Sequence, residues 1–116
     1  MSAELKPPIS TDLLEQVDIR AGTIEAVEDI PGSDRLVLLR VSFGDFRRQI
    51  VPGVKQERSN PAEIAGRQAL FVVNFAPRKI RGVISEGMLF DIGFADGIRP
   101  VLAVPEERVP DGIRCA

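Results

Sequence analysis

Apolar and polar residues alternate with period two along most of the chain, the pattern of half-buried strands. Val17, Ile19 and Ala21 share one face with Asp18 and Arg20 opposite, and after Gly22 the apolar phase moves to Ile24 and Ala26. A phase change at a glycine predicts a bulge or sharp bend there. Arg35 to Phe43 predicts a second strand, with Val37, Leu39, Val41 and Phe43 on one face and Leu36, Leu38, Arg40 and Ser42 on the other. Gly44-Asp45 turns it into a partner strand from Phe46 to about Val51. Gln68 to Phe75 follows, with Phe71, Val73 and Phe75 together on a core face. Ala76 to Gly82 leads out of it, and Val83 to Phe94 is extended around Gly87. Ala95-Asp96-Gly97 turns into a last strand, Ile98 to Val104, and Val109-Pro110-Asp111-Gly112 makes a final turn.

Two short segments depart from this period. Ser10 to Gln16 predicts a short helix, with Asp12 and Glu15 in the form of a capping box and Ser10 or Thr11 as alternative caps. Asn60-Pro61-Ala62-Glu63 predicts a second helix start, with Asn60 as cap, Pro61 at the first helical position and Gly66 as a left-handed stop. Lys6, Pro7 and Pro8 keep residues 1–9 as an extended tail, which leaves 10–116 as a single domain. Five main strands, turns about every 8–12 residues and one small helix in the middle predict an all-β fold. The architecture expected is a five-stranded Greek-key barrel of the oligonucleotide/oligosaccharide-binding (OB) type, with a short N-terminal helix and a C-terminal extension.

Composition narrows the chemistry. The chain has no His and one Cys, Cys115, so no Ser-His or Cys-His nucleophilic pair and no Cys/His zinc site is expected. A lone Cys forms no intramolecular disulfide, which fits a reducing compartment. No apolar run approaches the roughly 18 residues of a membrane span, and Met1 to Pro8 lacks the apolar stretch of a signal peptide. The expectation is a cytoplasmic protein without membrane insertion. Asp91 with Asp96, or Glu106 with Glu107, would be carboxylate pairs for a hydrolase, but no nucleophile or metal set accompanies them. Neither enzymatic activity nor a cofactor is therefore expected.

Formal charge is -2, from 15 Lys and Arg against 17 Asp and Glu, which on its face argues against a nucleic-acid partner. The distribution says otherwise. No acid lies between Asp45 and Glu57, where Arg47, Arg48 and Lys55 fall. None lies between Glu63 and Glu86, where Arg67, Arg78, Lys79 and Arg81 fall. Setting those seven aside leaves eight cations against 17 acids, an acidic body bearing a basic strip. Such a strip reads as a phosphate-tracking groove, or equally as a solvated face whose acids fold back as partners.

The stretch Asn74-Phe75-Ala76-Pro77-Arg78-Lys79-Ile80-Arg81-Gly82-Val83-Ile84-Ser85-Glu86-Gly87-Met88 resembles the signature of the tRNA-binding domain family. That family includes appendages of methionyl-tRNA synthetases, free-standing dimeric tRNA-binding proteins and the export-related chaperones of the CsaA type. Val17 to Gly22 resembles its opening strand, Gly32 to Leu36 its first turn and Gln49 to Val54 its third strand. Together these cover about residues 15–114 in the family's order, and the length with a short leading helix most resembles the CsaA type. The chain departs from the family in the first turn, where a His is frequent and this chain has Ile30 or Pro31, and at Pro52-Gly53-Val54, where Ser-Gly-Leu is frequent.

The resemblance implies an OB barrel, homodimerisation through elements flanking it, and binding of tRNA by shape without catalysis. Asn74, Arg78, Arg81, Ser85, Glu86 and Met88 match the family's binding-surface motif. Arg78 and Arg81 suit bidentate phosphate contacts and Lys79 adds a point charge, with Arg47, Arg48 and Lys55 as further candidates. Asn74 and Ser85 suit a base edge or a 2′-hydroxyl, while Asn74 equally suits the backbone groups at a strand end. Glu86 would accept from a base amino group or orient a neighbouring Arg. Met88 is either core filler or a flexible apolar contact.

Trp and Tyr are absent, and Phe43, Phe71 and Phe75 fall on core faces, leaving Phe46 among few stacking candidates. That shortage predicts recognition of a folded RNA rather than an extended strand. The CsaA-type resemblance implies a second function, holding unfolded or pre-export polypeptides in an apolar groove near Phe46, Phe75, Ile80 and Met88. Leu13, Leu14, Val101, Leu102 and Val104 either close the barrel's own ends or meet a second copy. Burial at a dimer interface would be worth about 1.5–3 kcal/mol for each side chain.

Overall fold

A five-residue helix, α1 (Thr11–Glu15), precedes the strands in the computed structural model, which describes residues 3–54 and 58–116. Ser10 is its cap: the residue is extended, and its hydroxyl accepts from the Leu13 N–H at 3.3 Å. No residue of α1 is buried. Residues 3–10 have no regular structure and lie exposed.

Five strands form an antiparallel sheet in the order β3-β2-β1-β4-β7: β1 (Ile19–Asp29), β2 (Val37–Ser42), β3 (Arg47–Ile50), β4 (Gln68–Val72) and β7 (Met88–Leu89). Two strand pairs stand beside it, β5 (Arg78–Ile80) with β6 (Val83–Ser85), and β8 (Asp91–Ile92) with β9 (Val101–Leu102). The β1–β4 neighbourhood supplies the Greek-key crossover that was expected. The sheet curls until its two edges approach. Glu86 N–H, between β6 and β7, donates to the Gln49 carbonyl of β3 at 2.9 Å. Gly87 makes this closure possible, because a Cβ there would lie 2.7 Å from the Val72 carbonyl oxygen and 3.4 Å from Ile50 Cδ1.

The interior follows the period-two reading of β2. Val37, Leu39, Val41 and Phe43 join Ile24, Ile50, Ile64 and Phe71 in the main core, where the Phe43 and Phe71 rings meet edge to face at 5.5 Å. Leu38, on the opposite face, is buried in a smaller cluster with Ile30 and Val51, against which Ile80 and Val83 pack. That second cluster anchors the β5–β6 hairpin to the outside of the barrel.

Four local expectations need correction. Pairing of β1 runs unbroken through Gly22, and the extra residue is Glu25, between Ile24↔Val41 and Ala26↔Arg40. Gly22 faces the core and admits the Phe43 ring; a Cβ would sit 2.6 Å from Phe43 Cε1. Ala21 is buried on the opposite face, so two apolar phases coexist because both sides of this strand are covered. The second helix is a short 3₁₀ turn, Pro61–Ile64, whose Asn60 makes no side-chain cap. The strand containing Phe71 ends at Val72, and Phe75, expected in the core, lies beyond it and is 52% exposed.

The C-terminal segment pairs with β1 where β2 has no register with it. Ala21 N–H donates to the Ile113 carbonyl at 3.0 Å, Gly112 N–H to Ala21 at 2.8 Å and Cys115 N–H to Ile19 at 2.8 Å. Side chains reinforce the seam: Thr23 Oγ1 donates to Asp111 at 2.7 Å, and Gln68 Nε2 donates to both Asp111 and the Val109 carbonyl. No helix of the described residues is long and apolar enough to cross a membrane.

Candidate nucleic-acid interface

Arg81 and Gly82 join β5 to β6 with φ of 52° and 78°, so both turn residues are left-handed, as a two-residue type I′ hairpin requires. Asn-Gly is the usual choice there; Arg in the first position accepts backbone strain to place a guanidinium at the tip. That guanidinium reaches the Gly32 carbonyl at 3.4 Å, which ties the tip to the β1–β2 connection. Register pairs Arg78 with Ser85, Lys79 with Ile84 and Ile80 with Val83. Ile80 and Val83 therefore face the outer cluster while Lys79 and Ile84 face solvent. Arg78, Lys79 and Arg81 are exposed, and among the described residues none of them has an ion pair.

Between this hairpin, the end of β3 and β7 runs a groove of about 600 Å³. Its floor is apolar, from Ile50, Val51 and Leu89; Phe75 and Met88 stand at its sides, and Arg78 and Asp91 carry its charge. Met88 is 41% exposed and belongs to neither core cluster, so it is not core filler. Asp91 contributes charge to this groove, while Asp96 lies exposed in the Phe94–Asp96 turn.

Several residues of the motif serve the fold. Asn74 Oδ1 accepts from Asp18 N–H at 2.9 Å and its Nδ2 donates to the Gln16 carbonyl at 2.7 Å, which staples the exit of α1 to the end of β4. Of the two roles open to Asn74, it performs the one at the strand end. Ser85, expected at an RNA contact, is buried; its hydroxyl accepts from Val51 N–H and donates to the Gly87 carbonyl. Glu86 accepts from Gln49 N–H at 3.0 Å, which holds β3 to the β6–β7 segment, and its carboxylate lies 4.0 Å from the Arg48 guanidinium.

The remaining cations divide by their surroundings. Arg47 donates to both carboxylate oxygens of Glu25, at 2.7 and 3.3 Å, and the hydrogen bonds hold that carboxyl below its ordinary range. The Glu25 bulge aims the acid at Arg47, so this member of the strip is neutralised by a residue 22 positions away. The Arg48 guanidinium lies 5.1 Å from the Phe46 ring centroid and that of Arg20 lies 5.6 Å from it. Phe46 also stacks on Phe43 at 5.2 Å, so it is a half-buried anchor and not an open platform for a base or peptide. Lys55 lies outside the described residues. Leu13, Leu14, Val101 and Val104 are exposed, whereas Leu102 is 8% exposed in the chain's own core, because alternation in β9 turns it inward. Pro52, one of the departures from the family's Ser-Gly-Leu, lines the groove together with Gly53, which matches the family's glycine.

Comparison with known proteins agrees with this geometry. The tRNA binding domain family model matches residues 19–114. The methionine–tRNA ligase of Chlorobium luteolum is 43% identical over 89 residues, 77% of this chain but 12% of the ligase, so the chain spans a small fraction of such relatives. Among solved structures, a methionyl-tRNA synthetase-related protein of Pyrococcus horikoshii superposes with a TM-score of 0.87 at 32% identity, covering 96% of this chain and all of that one. The chaperone CsaA of Bacillus anthracis superposes at 0.82 and 26% identity, covering 95% and 100%. With the OB-type barrel, the exposed basic hairpin and a family match over most of its length, the chain belongs to the tRNA-binding domain family.

Proposed function

We propose that the chain binds folded tRNA without catalysis, laying the RNA backbone on the β5–β6 hairpin and a single base or ribose in the adjoining groove. The observation that carries this reading is the trio Arg78, Lys79 and Arg81, exposed and, among the described residues, without ion pairs, beside a groove sided by Phe75 and Met88. Arg78 and Arg81 make charge-assisted bonds to phosphate oxygens, Lys79 adds a point charge, and Phe75 offers its ring as a stacking face. With one such ring at the groove, a long single strand gains little, and a folded RNA presenting phosphates at fixed spacing gains most. Filter-binding titration of the protein with tRNA at low salt tests this. Saturable retention that falls steeply with salt is expected, and no retention removes the reading.

A second reading, that the same groove holds unfolded or pre-export polypeptide, is supported by its apolar floor and by the likeness to CsaA. Suppressed aggregation of a denatured client at stoichiometric protein, without ATP, is the result that would favour it. In either case the exposed Leu13, Leu14, Val101 and Val104 fit burial against a second copy of the chain. Sedimentation velocity at micromolar concentration is expected to give a dimer, and a clean monomer would contradict that assignment.

A further inference from the structure

The groove beside the hairpin has three polar side chains in its lining, Arg78, Ser85 and Asp91. Ser85 is taken up by the fold, accepting from Val51 N–H at 3.1 Å and donating to the Gly87 carbonyl at 3.3 Å. Arg78 and Asp91 are exposed and, among the described residues, neither side chain has a hydrogen bond or an ion pair. Asp91 opens β8 two residues after Leu89, whose buried side chain belongs to the apolar floor. The groove therefore offers a ligand one free guanidinium and one free carboxylate across an apolar surface.

A guanidinium only donates hydrogen bonds, and an ionised carboxylate only accepts them. A ligand that satisfies both carries an anionic acceptor at one end and donors at the other. A nucleotide does so when its phosphate meets Arg78 and its base edge meets Asp91. Phe75, 52% exposed, and Met88 supply the apolar sides against which the flat base lies. The four RNA bases differ in what they present to a carboxylate. On the Watson–Crick edge, adenine and cytosine set one amino donor beside a ring-nitrogen acceptor, and uracil sets one N–H between two carbonyl oxygens. Each of those acceptors would face a carboxylate oxygen and be repelled by it. Guanine alone sets two donors side by side, N1–H and the 2-amino group, one for each carboxylate oxygen. A ribose 2′-hydroxyl offers one donor, the same in every nucleotide, and gives no preference among bases. Asp91 also repels phosphates, so it favours the RNA that bonds it and disfavours those that do not.

We infer that Asp91 makes the groove selective for guanine, accepting from N1–H and the 2-amino group of one unpaired guanine whose phosphate lies on Arg78; the inference deepens the tRNA-binding reading and rests on it. The test is fluorescence anisotropy at low salt with labelled pentanucleotides, uridine throughout except for a central guanine, adenine, cytosine, uracil or hypoxanthine. The wild-type protein is expected to bind the guanine strand roughly tenfold tighter than the all-uridine one. Hypoxanthine keeps N1–H and lacks the 2-amino group, so most of that preference should vanish with it. Asp91→Asn supplies one donor and one acceptor, which match adenine and cytosine, so the preference should leave guanine and move to those two bases. Asp91 is exposed and outside both core clusters, so the variant is expected to melt with the wild type; the hypoxanthine strand tests the contact without any substitution. Equal affinity of wild-type protein for all five strands, or no binding of any of them, overturns the inference while retention of tRNA leaves the broader reading standing. An Asp91→Asn protein that binds every strand more tightly by the same factor also overturns it, because the carboxylate then acts only by repelling phosphate. If folded wild-type protein retains no tRNA, the reading falls and guanine selection falls with it.

Discussion

Replacing Arg78 and Lys79 together with alanine is expected to weaken tRNA binding roughly tenfold to fiftyfold near 0.1 M salt. Each phosphate contact releases close to one counterion, which at that salt is worth up to about eightfold in affinity. Both side chains are exposed and neither has an acid partner among the described residues, so their full charge is available to RNA. Stability should stay within about 0.5 kcal/mol, because neither side chain belongs to a core cluster. Arg47→Ala makes the contrast. Its charge already faces Glu25 in a bidentate pair, so affinity should change less than about threefold. Equal losses from the two substitutions would show that net charge alone, and not the hairpin, governs binding.

Gly112→Ala is expected to cost about 2–4 kcal/mol of folding stability and to lower the melting temperature by roughly 10 °C or more. Two penalties combine there. The residue has φ of 89°, a left-handed conformation unfavourable to any side chain, and an added Cβ would overlap the Phe43 carbonyl oxygen. Backbone cannot swing aside as a long side chain does, so the C-terminal segment must lift from β1 or the turn after Phe43 must shift. Either movement strains the Ala21 and Ile19 hydrogen bonds and the Thr23–Asp111–Gln68 network. Urea titration measures the loss; a change below about 0.5 kcal/mol would mean that the segment contributes little to the barrel.

How much of this was legible in the sequence depended on how local each cause was. β2 could be read directly because every second residue is apolar and the core lies on one side. The β5–β6 hairpin could not, because its strands are three residues each and its turn is Arg-Gly in place of Asn-Gly. The phase change near Gly22 was visible, but its cause was not. It arises because Phe43 needs the glycine on one face while the other face is also covered.

At the site, residue type misled where one chemistry serves two ends. Asn74 and Ser85 have hydrogen-bonding groups as useful to a backbone as to a base, and the partners that claim them come from distant segments, Gln16, Asp18 and Val51. Arg47 lies in an acid-free stretch of sequence, yet the bulge at Glu25, 22 positions away, brings a carboxylate onto it. Charge runs mark where cations are, whereas long-range pairing decides which of them remain available.

The most direct measurement of the central claim is a map of backbone amide chemical-shift changes in labelled protein as tRNA is added. The account predicts that the changes concentrate in residues 75–89, in the hairpin and along the groove, and fade as salt rises. Saturating tRNA binding that leaves those residues unmoved, while shifting the Glu25–Arg47 face instead, would contradict it.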